Sequence, residues 1–189
     1  MKKIINDPEH VVSEMLAGIE ISDSSLRYIP GFEVIARREP NKEKVAIISG
    51  GGSGHEPAHA GYVGLGMLDA AVAGNVFASP SPDRILEAIH QVGGDKGVLM
   101  VIKNYSGDIM NFSMAAELAE MEGYKVMSVV TRDDVAVPES TYSTGRRGIA
   151  GTVFVHKIAG AAAEAGRSLE EVRDVAQKVI DNTRSMGMA

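Results

Sequence analysis

The sequence has 189 residues, 44% hydrophobic and 23% charged, which suits one sizeable folded core and excludes general disorder. Its formal charge is −6 and it has no cysteine, so a basic nucleic-acid surface, a disulfide framework and a thiolate metal site are set aside. The amino terminus turns acidic at Asp7 before any long apolar run, so neither a signal peptide nor a membrane span is expected and the cytoplasm is the expected compartment.

Asp7-Pro8 reads as an N-cap and first helical residue, and Val11, Val12, Met15, Leu16 and Ile19 then recur on one helical face. After a polar break, Phe32 to Ala36 alternates as a partly exposed strand. Lys44 to Ser49 is a short buried strand that leads into Ser49-Gly-Gly-Gly-Ser-Gly-His-Glu-Pro57. Leu68 to Val72 is a further strand, and Ser81-Pro82-Asp83 opens a helix running to about His90. Gly97 to Lys103 is a strand, Asp108 to Met121 a helix, and Lys125 to Val130 a strand again. A polar loop extends to Ala150, followed by an alanine-rich helix over Gly151 to Ala165. Ser168-Leu-Glu-Glu171 forms a capping box for a last helix reaching about Asn182.

Buried strands alternating with helices predict a three-layer α/β/α fold with a mainly parallel sheet, in one domain over residues 1–189. Ligands of such sheets bind beyond the carboxyl ends of the strands. Two polar loops fall there: Ser49 to Pro57, and Lys103-Asn-Tyr-Ser-Gly-Asp108. Glycine N–H groups can cradle a polar ligand, the His55 imidazole can carry a proton near neutral pH, Lys103 supplies a cation and Asp108 a carboxylate. That set suits a polyhydroxylated or carbonyl substrate, with His55 or Asp108 accepting a proton and Lys103 holding a polarised oxygen. Each residue also has an ordinary structural role: Asp108 as an N-cap, Lys103 as a solvated strand end, His55 as a packing residue.

The glycine segment fits no nucleotide motif. A phosphate-binding loop needs Gly-Lys-Ser/Thr where this chain has His55-Glu56, and a dinucleotide fingerprint needs a third glycine where His55 stands. His55-Glu56-Pro57-Ala58-His59 spells the zinc-protease pattern, but Pro57 interrupts the helix on which both imidazoles would have to lie. No metal site is therefore expected, and His59 reads as a packed or surface helix residue. Thr144-Gly-Arg-Arg-Gly148 reads as a charged loop, Asp133-Asp134 as a solvated acidic pair, and His10, His90 and His156 as packing or surface residues.

Five segments together resemble one family. Ser49 to His59, Gly74-Asn-Val-Phe-Ala-Ser-Pro80, Lys103 to Phe112, Gly145-Arg-Arg-Gly-Ile-Ala-Gly-Thr152 and Asn182-Thr-Arg-Ser-Met-Gly187 are similar, in order and end to end, to the substrate-binding subunit of dihydroxyacetone kinase. The resemblance implies phosphorylation of dihydroxyacetone, with Gly52, Ser53, Gly54 and His55 contacting substrate, Lys103 holding it and Asp108 assisting proton transfer. It also implies a homodimer. Nucleotide and magnesium, with either ATP as donor or an ADP rephosphorylated by a phosphoenolpyruvate-dependent relay, are implied on a separate nucleotide-binding subunit or domain, with no cofactor in this chain. The family carries a second domain whose histidine holds the triose covalently, and no histidine here matches it, so the isolated chain is expected to be inactive or nearly so. A non-catalytic triose sensor or transcriptional co-regulator would carry the same glycine segment and is the competing expectation.

Overall fold

The computed structural model describes residues 4–136 and 145–187. A six-stranded sheet, β1 (Leu26–Ile29), β2 (Val34–Arg37), β3 (Ala46–Ser53), β4 (Ala70–Val76), β5 (Val98–Lys103) and β6 (Val126–Thr131), runs in the order β1-β2-β4-β3-β5-β6. The β4, β3, β5 and β6 strands pair in parallel, whereas β1 with β2 and β2 with β4 are antiparallel. The expected fold class holds, with an antiparallel edge added to the parallel sheet.

Helices cover both faces because the buried strands present apolar residues in both directions. Ile47, Leu99 and Val101 meet α1 (Val11–Ser22), α4 (Thr152–Glu164) and α5 (Leu169–Asn182) on one side. Ile48, Met100 and Ile102 meet α2 (Pro82–Val92) and α3 (Ser106–Met121) on the other. All six residues of β5 are buried, as expected for a central strand covered twice. The capping box at Ser168 is formed, with Glu171 N–H donating to Ser168 Oγ and Ser168 N–H to the Glu171 carboxylate.

Three details depart from the sequence reading. β1 lies in the stretch read as a polar break, since Leu26 is its only buried residue and leaves no alternating signature. β2 begins at Val34 because Glu33 turns the chain at φ +54°. Asp133 and Asp134 are buried at 3% and 0% exposure. Asp133 accepts from Ile149 N–H and Gly151 N–H at 3.1 and 2.8 Å and from the Ser185 hydroxyl. Asp134 accepts from Arg147 at 2.7 Å and from Gly187 N–H at 3.3 Å. The acidic pair thus pins the 145–151 segment and the carboxyl-terminal strip to the end of β6. Thr144 lies outside the described residues.

At the opposite end of the sheet Asp69 joins three donors. Its carboxylate accepts from Lys44 Nζ at 2.6 Å, Ile47 N–H at 2.8 Å and Arg37 Nη1 at 3.1 Å, and Arg37 continues to Glu164 of α4 at 2.6 Å. Lys44 and Asp69 are both buried, so removing one charge strands the other. Asp69→Ala should lower unfolding free energy by about 3–5 kcal/mol in urea titration; an unchanged midpoint would show that the cluster contributes no net stability.

Candidate functional site

The carboxyl ends of β3 and β5 are neighbours because the strands pair directly, Ile47 opposite Leu99 and Ser49 opposite Val101. Both ends therefore discharge onto one rim. The glycine segment differs from the loop expected there: β3 continues through Gly50, Gly51 and Gly52 to Ser53, so the loop proper begins at Gly54. Gly52 is required by packing, since a Cβ there would come within 2.7 Å of Ala78 N and 2.9 Å of the Phe77 carbonyl carbon. The Ser53 hydroxyl is buried and donates to the Gly74 carbonyl at 2.8 Å. Gly54 N–H already meets the Glu56 carboxylate at 3.0 Å.

His55 is exposed at the start of this loop, and the edge of the Phe77 ring stands against it with centroids 5.3 Å apart. Lys103 closes β5 and is only 8% exposed, with its ammonium 5.7 Å from the centre of the Tyr105 ring. Burial lowers its pKa from the ordinary lysine value, against the opposing pull of Asp108. It is no solvated strand end. Asp108 is not an N-cap either: α3 starts at Ser106, Tyr105 takes the cap position, and Asp108 sits buried in the first turn. Burial raises its pKa above the usual carboxylate range, while Ser79, Lys103 and His55 oppose that shift. Lys103 ends β5, Asp108 lies in the first turn of α3 that follows it, and His55 stands just beyond the end of the neighbouring β3, so the chain brings all three to one rim.

A cavity of about 300 Å³ opens between the two strand ends, walled by His55, His59, Lys103, Tyr105, Thr152 and His156 among others. Asp108 lies outside that lining. A neighbouring cavity of about 290 Å³ is lined by Gly52 and Ser53, with Ala58 and His59 shared between the two. His55 and Lys103 thus line one hollow and Gly52 and Ser53 the other, whereas Gly54 and Asp108 line neither. The wall contributed by Gly148, Ile149 and Ala150 is the segment that Asp133 anchors. A larger cleft, about 600 Å³, is lined by Lys42, Gly93, Tyr124 and their neighbours at the amino-terminal ends of β3, β5 and β6. It is open and distant from the His55 cluster, and parallel sheets place their ligands at the other rim.

Sequence reasoning missed two of the wall residues. His59 is not on a helix; it precedes the short 3₁₀ turn Ala60–Tyr62 and is buried. His156, on α4, is fully buried beside it, the two rings meeting edge to face at 5.3 Å with His59 Nδ1 3.1 Å from His156 Nε2. Burial holds both imidazoles neutral, lowering His156 to about 3 and His59 well below its usual value. The signal for His59 was present in the His55-Glu56-Pro57-Ala58-His59 spelling, but nothing in a single sequence couples position 59 to position 156. Among the described residues no group of three or more His, Cys, Asp or Glu could hold a metal ion, and no helix is long and apolar enough to cross a membrane.

Comparison with known proteins places this geometry in a wider set. A family described as the Dak1 domain matches residues 17–189. The dihydroxyacetone-binding subunit DhaK of the PTS-dependent dihydroxyacetone kinase of Lactococcus lactis is 56% identical over the whole of this chain, which spans 57% of that relative's length. The DhaKLM operon coactivator DhaQ of the same organism is 42% identical, over 99% of this chain and 57% of the relative. The crystal structure of the dihydroxyacetone kinase from C. freundii in complex with AMP-PNP and Mg2+ superposes with a TM-score of 0.89 at 45% identity, covering 96% of this chain and 34% of that one.

The Asp108 environment gives a sign that can be measured. A carboxyl made harder to ionise by folding adds stability only while protonated, and that contribution is lost as pH rises through its raised folded value. At pH 7 the ionised Asp108 is therefore a cost. Asp108→Asn should stabilise the chain at neutral pH, the gap closing as pH falls below the ordinary carboxylate range, where the wild-type group is protonated folded and unfolded alike. Urea unfolding across that range checks it, and a destabilised variant at pH 7 would contradict it.

Proposed function

The chain belongs to the Dak1 domain family, and from that membership we propose that it is the dihydroxyacetone-binding domain of a dihydroxyacetone kinase. The observation that carries the reading is the rim cavity: one exposed imidazole and one desolvated ammonium face a hollow of about 300 Å³, large enough for a triose. This chain spans 57% of the length of its Lactococcus lactis relative, so the activity is proposed for a complete kinase that carries this domain.

In this reading His55 accepts the proton of the hydroxyl that becomes phosphorylated. Lys103 donates to a substrate oxygen, and its interaction is strong because burial removes competing water. Gly52, Ser53 and Gly54 bound the site beside His55. Asp108 shapes the potential around Lys103 and is the second candidate for the base; its position outside the cavity lining favours His55. ATP or ADP with magnesium, on a partner subunit or domain, supplies the phosphoryl group. The glycine segment has no lysine to reach a phosphate, and the C. freundii relative that binds AMP-PNP and Mg2+ is about three times as long as this chain's match. His55 is exposed, as a base that must meet a donor held by another body requires. Met110, Met114, Leu118 and Met121, exposed along α3, offer apolar surface of the kind a homodimer contact covers. The cytoplasm remains the compartment proposed.

A coactivator relative shows that the fold also serves a protein named for operon activation. The kinase reading is preferred because identity to the kinase subunit is 56% against 42%.

In a complete kinase carrying this domain, supplied with its nucleotide-binding subunit, His55→Ala should reduce turnover by roughly 10²–10⁴-fold. Asp108→Ala should reduce it less. Unchanged turnover in both variants would remove the catalytic assignment, and triose binding with no turnover in the complete assembly would favour the sensor.

A further inference from the structure

The three consecutive glycines of β3 are not equivalent. A Cβ on Gly50 would come within 2.5 Å of the Val72 carbonyl oxygen, and one on Gly52 within 2.7 Å of backbone, so packing alone demands glycine at both. A Cβ on Gly51 would make only ordinary contacts, 3.5 Å from Lys103 Nζ and 3.6 Å from His59 Nε2. The space above Gly51 is thus bounded by an ammonium and an imidazole nitrogen. His59 Nε2 is buried and has no hydrogen-bond partner.

The protons of the neighbouring groups fix what that nitrogen can do. Ser49 Oγ spends its single proton on the Val101 carbonyl at 2.6 Å, so toward His59 Nδ1, 3.3 Å away, it can only accept. With the Ser49 contact made as a hydrogen bond, Nδ1 carries the proton and shares it between Ser49 Oγ and His156 Nε2, and His156 is protonated on its own Nδ1, which is likewise buried without a partner. In a neutral ring this leaves Nε2 with a bare lone pair, an acceptor. A buried acceptor and a buried ammonium facing one small space need a group that both accepts and donates.

We propose that His59 is a further substrate-binding residue: over Gly51, its Nε2 and Lys103 Nζ form a seat for one hydroxyl of the triose. The hydroxyl hydrogen goes to Nε2 and its oxygen accepts from the ammonium. Ser49 and His156 act as positioning residues that hold His59 in the required tautomer. This seat rests on the triose-binding reading and adds a reason for hydroxyl selectivity, since a ligand lacking that hydroxyl leaves both groups unpaired.

Long-range proton–nitrogen NMR of the chain should find the His59 proton on Nδ1, with the Nε2 resonance moving upfield when dihydroxyacetone is added. Gly51→Ala puts a methyl group into the seat at contact distances the fold accommodates, and His59→Asn retains a donor near Nδ1 while deleting Nε2. Each should weaken dihydroxyacetone binding by about tenfold. His59→Asn should also abolish the preference for dihydroxyacetone over hydroxyacetone, which has one hydroxyl fewer. A proton found on Nε2, or wild-type affinity in Gly51→Ala, overturns the seat. Triose binding that depends on His55 yet ignores both substitutions overturns the seat alone, whereas a wild-type chain that does not bind dihydroxyacetone overturns the triose reading with it.

Discussion

Parallel pairing of β3 with β5 is the constraint from which the site follows. With Ser49 opposite Val101, residues four to six positions beyond one strand partner and two beyond the other arrive at the same rim, whatever the loops themselves prefer. A one-residue slip of β5 against β3 would turn Leu99 and Val101 from one helical layer to the other while Ile47 stayed in place, so burial on both faces locks the register. The site therefore inherits its rigidity from the core, and the loops only finish it.

Polar groups at the two ends of this sheet do different work. Asp69, Lys44 and Arg37 satisfy one another at the amino-terminal end and tie α4 down through Glu164. At the carboxyl-terminal end the groups are less fully paired: Lys103 is short of water, Asp108 is hard to ionise, and His59 keeps a buried nitrogen without a partner. Unmet polar capacity concentrated on one rim is what a binding site leaves for its ligand. Asp133 and Asp134 lie between these cases, spending their charge on holding the 145–151 wall of the cavity in place.

Much of this could be read from the residues. Periodicity found five of the six strands and the main helices to within a few residues, because Lys44 to Ser49 and Gly97 to Lys103 are apolar runs with clear ends. β1 escaped because an edge strand with one buried residue carries no alternation. The candidate site was legible where chemistry is local, as in His55 beside its glycines and Lys103 at a strand end. It was not legible where chemistry depends on distant partners. His59 looked like a helix residue until it was seen against His156, 97 positions away, and the glycines looked like one cradle until their surroundings separated Gly51 from Gly50 and Gly52. Asp133 and Asp134 looked solvated because their partners, backbone N–H groups together with the Arg147 and Ser185 side chains, are brought to them only by the fold.

The central claim is that the triose lies between the ends of β3 and β5. Amide chemical-shift mapping of this chain during a dihydroxyacetone titration tests it most directly. The account predicts saturable shifts grouped at residues 51–59, 103–108 and 148–156. Shifts grouped instead around Lys42, Gly93 and Tyr124, at the other end of the sheet, would contradict it.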